Sequence, residues 1–298
     1  MALKHFCTIT TIDFLYKTKA LHASLQKCCK DFLFHVLVTD AASLPLNENE
    51  IQYYDTSILK SETASAIINK YRANANKLRW SLKPVFILHL LQNFEKVIYT
   101  DNDIAFFNSP DFLFEALDHN PILLTPHHYA HSPQKNQNWL EANFTIGLYN
   151  AGFVGANRDA KKTMEWWAAC CLYRCEKSRW RGLFDDQKYL DLVPIIEPLT
   201  KVLTHKGCNL AGWNIDTCER TLSNNEVLIE GKYQVVFIHL NDYTIRMIVE
   251  GKDPLLESYW QQYLSTLQSF KKGLQQSNLY RPQSFTEKLR LAVWQLLS

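Results

Sequence analysis

The residue types and spacing that most directly suggest chemistry are two carboxylates one residue apart, Asp101 and Asp103. They close the run Lys96-Val-Ile-Tyr-Thr-Asp101-Asn102-Asp103, and its apolar stretch, 97–100, has the pattern of a buried strand. Side chains alternate along an extended backbone, so both acids can point the same way. Left unpaired there, they would repel each other and resist desolvation. A hard divalent cation removes that cost and leaves coordination positions for substrate oxygens. The structural alternative is a cap on the turn into residues 108–110, because Asp and Asn favour turns.

Other candidates stand at the predicted ends of elements. His239 closes an apolar run at 234–240, where a structural histidine is the simpler reading. Asp185-Asp186-Gln187 precedes an apolar segment running to 193, and acids are favoured at a helix N-terminus. Asn150-Ala-Gly152 reads as a tight turn between strands at 145–149 and 153–156. Arg79 and Lys83, four apart on one helical face, repel unless an anion lies between them. His127, His128 and His131 occupy a turn-rich stretch without a carboxylate, so 126–144 reads as an acceptor-side lid rather than a metal site.

These groups need a scaffold. Residues 5–11, a helix from Asp13 and residues 32–39 make a β-α-β unit, predicting parallel strands and an open α/β sheet. Thr8, Thr10, Thr11 and Asp13 then fall at the ligand side of the first strand, where Thr and Asp are also ordinary N-cap residues. Further strands are expected at 51–54 and 121–125. Helices are expected at 61–70, 76–91, 111–117 and 158–173, with Pro84 kinking or restarting the second. The tail differs: residues 255–270 carry an aromatic stripe at helical spacing, and a capping box at 284–287 opens a helix to 297. We expect a catalytic domain over 1–253 and a helical extension over 254–298. The extension's +4 charge over 271–298 and its Trp and Leu residues suit contact with a membrane surface.

The chain has 298 residues, 47% hydrophobic and 21% charged, with net charge +2, which argues against nucleic-acid binding. No apolar run of about 20 residues suggests a membrane span, and residues 1–30 lack a signal-peptide core. The eight cysteines form no C-x-x-C pair and suit buried thiols in a reducing cytoplasm.

Taken in order, these motifs over about 5–245 resemble glycosyltransferase family 8, which includes glycogenin and the bacterial lipopolysaccharide galactosyltransferases. Residues 8–13 with Tyr16 look like its nucleotide-binding strand and helix, and Lys83 like its donor lysine. Asp101-Asn102-Asp103 resembles its D-x-D, Asn150-Ala-Gly152 its N-x-G, Asp186-Gln187 its D-Q pair, and His239 its third metal ligand. The usual His-x-x-Gly-x-x-Lys is replaced after His239 by Leu-Asn-Asp242, with Ile245 and then Arg246 as the cation on that side. The resemblance implies a single GT-A, Rossmann-like α/β domain with a mixed, mostly parallel sheet. It implies Mn²⁺ or Mg²⁺ on Asp101, Asp103 and His239, and a nucleotide-sugar donor such as UDP-glucose or UDP-galactose. It also implies hexose transfer, with retention, to a saccharide, lipid-linked or protein acceptor. Gln187 and Asp186 would be catalytic, and Arg79 would join Lys83 at the donor. Two rivals are a haloacid-dehalogenase-type phosphatase with Asp101 as nucleophile, and a non-catalytic nucleotide-sugar-binding relative.

Overall fold

A computed structural model describes residues 3–48 and 50–282. The expected β-α-β unit forms from β1 (Lys4–Thr10), α1 (Leu15–Cys28) and β2 (Phe32–Val38), with β1 parallel to β2 from Lys4 against Phe32 to Thr10 against Val38. Beyond β2 lies β3 (Ile51–Asp55), and on the other side of β1 lies β4 (Lys96–Thr100), both parallel. A short β5 (Ile104–Phe106) follows. The seven-stranded sheet is completed by β6 (Ile122–Pro126), β7 (Tyr149–Asn157) and the strand Lys201–Val202, in the order Lys201–Val202, β6, β7, β4, β1, β2, β3. Only β7 runs antiparallel to its neighbours, so the sheet is mixed and mostly parallel.

Helices cover both faces, as buried parallel strands require. They are α2 (Glu62–Tyr71), α3 (Ala75–Ser81), α4 (Lys83–Leu91), α5 (Asp111–Ala116), α6 (Gln137–Thr145) and α7 (Lys161–Tyr173). Phe86 of α4 and Trp167 of α7 pack on one face with Cys7, Val97 and Tyr99, while Leu21, Leu25 and Leu113 pack on the other with Phe6 and Ile98. The alternation within β4 matters for chemistry: its odd positions face α4, the helix that begins with Lys83.

Several expectations change. The helix at 76–91 is two helices meeting at Leu82, because Pro84 is accommodated only in a first turn. Residues 145–156 are not strand, turn, strand: α6 runs to Thr145, and Asn150 to Gly152 lie inside the continuous β7. Residues 183–193 are not one helix but the short strand Leu183–Phe184 and the 3-10 turn Lys188–Leu192, with Asp185 at φ +49 between them. The aromatic stripe of the helix Glu257–Phe270 faces the core: Trp260, Tyr263 and Leu267 are buried with Ala20 of α1 and Ile245. Each such side chain contributes about 1.5–3 kcal/mol, so this stripe is not a free interfacial face. The helix expected at 284–297 lies outside the described residues.

Candidate functional site

A second strand pair assembles the site. Phe237–His239 runs antiparallel to β5, with His239 opposite Ile104. Leu240 N–H donates to Asp103 O at 2.7 Å, which locks His239 beside the acidic motif. His239 Nε2 stands 3.1 Å from Asp103 Oδ1. Ligand atoms of Asp101, Asp103 and His239 all lie within 4.8 Å of one another, a span that one ion at about 2.0–2.6 Å from each can bridge. Two carboxylates and an imidazole make a mixed oxygen and nitrogen donor set for a divalent ion.

The carboxylates do not stand unpaired as expected. Asp101 Oδ1 accepts from Tyr99 Oη at 2.6 Å and lies 3.2 Å from Lys83 Nζ. Lys83 is buried, its Nζ donates to Ala151 O at 3.0 Å, and Asp186 Oδ2 is 3.2 Å from it, so one ammonium bridges two acids. Burial alone would lower the Lys83 pKa, but Asp101 and Asp186 outweigh it and hold the amine charged. Burial lifts the Asp186 carboxyl to about 6, reinforced by Asp101 and opposed by Lys83. Its Oδ2 is buried, with the Lys83 ammonium beside it. Burial disfavours charge on Asp103 and His239 too, yet their mutual attraction wins: the acid sits well below its usual range and the imidazole above its own.

β7 forms the adjacent wall. Asp101 N–H donates to Gly152 O at 2.8 Å, and Gly152 N–H donates to Asn150 Oδ1 at 2.6 Å. A Cβ on Gly152 would stand 2.7 Å from Asn150 Oδ1 and from His239 Cε1, and 3.1 Å from Asp101 Oδ2. Glycine is therefore needed for close approach rather than for a turn. The Asn150 amide also lies 3.2 Å from His239 Nδ1. Gln187 is held at both ends: Oε1 accepts from Ala151 N–H at 3.2 Å and Nε2 donates to Ile146 O at 3.3 Å.

Lys83, Asp101, Asp103, Asn150, Asp186, Gln187 and His239 thus line one cleft of about 410 Å³. A larger cavity of about 620 Å³, over α4 and α7, contains none of them and is set aside on chemical grounds. The other expected residues do not reach this cleft. Asn102 turns from it and donates to Thr10 Oγ1 at 3.0 Å, tying the motif to β1. Thr8 is buried within β1, Thr11 caps the following turn, Asp13 is exposed, and Tyr16 packs under Lys271. The Arg79 guanidinium lies 5.7 Å from the Phe14 ring, near the end of β1, and Arg246 stacks at 5.2 Å on Tyr243 at the cleft edge.

The stretch that reads from sequence as an acceptor-side lid forms an aromatic wall together with Trp213 and Tyr243, which the sequence reading does not join to it. His127, Tyr129 and Trp139 stack at 4.5 and 5.0 Å, Tyr243 meets Trp139 edge-on at 5.4 Å, and Trp213 meets His239 at 5.3 Å. Burial holds His127 neutral, its pKa pushed down to about 3, and its ring bonds Gly147 O at 2.9 Å. The stretch is hardly richer in Phe, Trp or Tyr than the chain as a whole, so the wall, which joins it to Trp213 and Tyr243, has no local signal.

No protein-family model matches the chain. Two Bacillus subtilis (strain 168) proteins, YfnF and YfnD, both described as uncharacterized, are similar along most of it. YfnF is 25% identical over 256 residues, 83% of this chain and 84% of its own length. YfnD is 26% identical over 254 residues, 82% and 79%. Among solved structures, the galactosyltransferase LgtC in complex with donor and acceptor sugar analogs superposes with TM-score 0.54. It is 12% identical, covering 91% of this chain and 98% of LgtC. The strand order, the antiparallel β7 and this superposition together establish that the chain shares the GT-A fold of that galactosyltransferase.

Proposed function

We propose that the chain is a metal-dependent glycosyltransferase that moves a hexose from a UDP-sugar to an acceptor hydroxyl with retention of configuration. The observation that carries this reading is the convergence of Asp101, Asp103 and His239 on one point, beside Lys83, Asp186, Asn150 and Gln187. Asp101, Asp103 and His239 would hold Mn²⁺ or Mg²⁺, whose Lewis acidity neutralises charge on the departing diphosphate. Asp186 Oδ2, buried and paired with the Lys83 ammonium, keeps a lone pair for a sugar hydroxyl. Lys83 keeps that carboxylate ionised and in place. Gln187 Oε1 uses one lone pair on Ala151 N–H, which leaves the other for positive charge developing at the anomeric carbon. In a retaining transfer the acceptor attacks from the face the diphosphate leaves, and the departing oxygen takes its proton. Thr11, Asp13, Tyr16 and Arg79, beyond the end of β1, would bound the nucleoside end, with Thr8 and Thr10 buried behind them as support, and Arg246 the diphosphate end. Trp139 and Tyr243, at the edge of the aromatic wall and backed by the buried Tyr129, offer apolar surface to the acceptor.

A phosphatase with Asp101 as nucleophile is disfavoured by the fold and by the Lys83 and Tyr99 contacts to that carboxylate. The test is a screen of nucleotide sugars for Mn²⁺-dependent release of the nucleoside diphosphate. Release from at least one UDP-hexose is expected. Absence of release from every nucleotide sugar, with and without candidate acceptors, overturns the reading.

A further inference from the structure

Exposed apolar side chains occur on three segments whose neighbouring residues line the cleft. Trp180 is fully exposed, at 101%, on the tip of a two-stranded ribbon of Lys177–Ser178 against Leu183–Phe184. The base of that ribbon, Lys177 and Phe184, lines the cleft. Gly182, at φ +62, turns the chain at the tip with nothing within 4 Å of where its Cβ would stand. Arg179 and Arg181 are the chain neighbours of Trp180; of the four cations in 174–182, Arg174 and Arg181 share Glu176 and Lys177 meets Asp185, while Arg179 has no acidic partner among the described residues. Phe144 and Ile195 are also exposed, at 71% and 75%. Their segments are joined where Leu148 N–H donates to Asp191 Oδ1 at 2.8 Å, next to Ile146 and Gln187 of the cleft.

We propose that this rim is a membrane-docking surface, with Trp180 between Arg179 and Arg181 as its anchor. It would seat the mouth of the cleft on an anionic bilayer, so that a lipid-linked acceptor enters from the headgroup layer. A fully exposed indole with an arginine on either side in sequence has the composition of an interfacial anchor, an amphipathic ring accompanied by cations that meet lipid phosphates. The apolar groups stand on separate elements, Trp180 on the ribbon, Phe144 on α6 and Ile195 on the helical turn Val193–Ile196. That suits a fluid headgroup layer better than a protein partner, whose interface needs shape complementarity. Only the lipid-linked acceptor rests on the transferase reading; the docking does not.

The test is sedimentation of the full chain with vesicles of phosphatidylcholine and phosphatidylglycerol at two to one, and with phosphatidylcholine alone, at low salt. Binding to the anionic vesicles is expected, and it should weaken on adding salt. The triple variant Trp180→Ser, Arg179→Gln, Arg181→Gln should partition about 30-fold less, since each cation near an anionic surface is worth about fivefold. Its melting temperature and its Mn²⁺-dependent UDP release in solution should match those of the unaltered chain. The inference is overturned if the intact chain ignores anionic vesicles, or if the variant partitions as well as the intact chain and so places the contact elsewhere, such as residues 271–298. Because UDP release is read without vesicles, failure of the docking and failure of the transferase reading are distinguishable.

Discussion

Replacing Gly152 with alanine probes the closest packing in the site. The added methyl would stand 2.7 Å from both Asn150 Oδ1 and His239 Cε1, and 3.1 Å from Asp101 Oδ2. Comfortable contacts of carbon lie at about 3.5 Å, so Asn150 and His239 must each retreat by roughly 0.8 Å. Neither has room: Asn150 is buried and bonded to Gly152 N–H, and His239 is fixed by Asp103 and by its pairing with β5. Overpacking of this kind costs about 1–3 kcal/mol, and a melting temperature lower by roughly 2–10 °C is expected. The functional loss should be larger, because a displacement of about 1 Å in a reacting site costs on the order of 10²-fold. Calorimetric Mn²⁺ titration, UDP release and a thermal melt would be read on the same Gly152→Ala preparation. Mn²⁺ affinity and turnover both within about twofold of the unaltered chain would refute the convergence of Asn150, His239 and Asp101 around Gly152.

Other outcomes follow from the same geometry. Lys83→Met leaves Asp101 and Asp186 facing each other without their cation and should cost roughly 3–5 kcal/mol near neutral pH. Asp186 already sits at about 6 with Lys83 present, so the deficit should shrink as pH falls and the acid takes a proton; urea melts giving a constant deficit would contradict the pairing. Gln187→Ala should lower turnover by about 10²-fold while leaving UDP affinity nearly unchanged, because its amide is assigned to the sugar rather than the nucleotide; an equal loss of UDP binding would move it from that role. His35 and His127 are buried neutral, each pushed down to about 3 by burial. An unfolded histidine titrates near 6.5, so their contribution is complete above that pH and declines as pH falls toward 3, by up to about 1.4 kcal/mol per pH unit for each; a urea midpoint flat between pH 7 and pH 5 would contradict their burial.

What the sequence made legible was set by pattern strength. The β1–α1–β2 unit and β4 are continuous apolar runs bounded by polar residues, and they appear where the runs lie. Asn150-Ala-Gly152 misleads because Asn and Gly promote turns, whereas here Gly152 admits the Asp101 and His239 side chains beside an unbroken strand. Residues 183–193 have helical apolar spacing, but a left-handed Asp185 places Asp186 against Lys83, and such tertiary ion pairing has no local signature. The hairpin Arg220–Ser223 with Glu226–Ile229 was passed over, although Asn224-Asn225, both at positive φ, is a tight-turn signal. The stripe of the helix Glu257–Phe270 was visible, but its partner, the flank of α1, is distant in sequence, so core and interface could not be told apart. Arg79 and Lys83 illustrate the same limit: four residues apart, one lies against Phe14 and the other is buried between two carboxylates.

The most direct measurement is UDP binding by calorimetry, with Mn²⁺ and with EDTA, for the unaltered chain and for Asp103→Ala. If Asp101, Asp103 and His239 hold the ion that receives the diphosphate, UDP binds the unaltered chain with an affinity at least about 10²-fold greater when Mn²⁺ is present. Asp103→Ala then loses that difference while remaining folded, apart from roughly 1.5–3 kcal/mol for the lost contact with His239. UDP binding that is equally tight in EDTA, or a Mn²⁺ effect of full size in Asp103→Ala, would contradict the account.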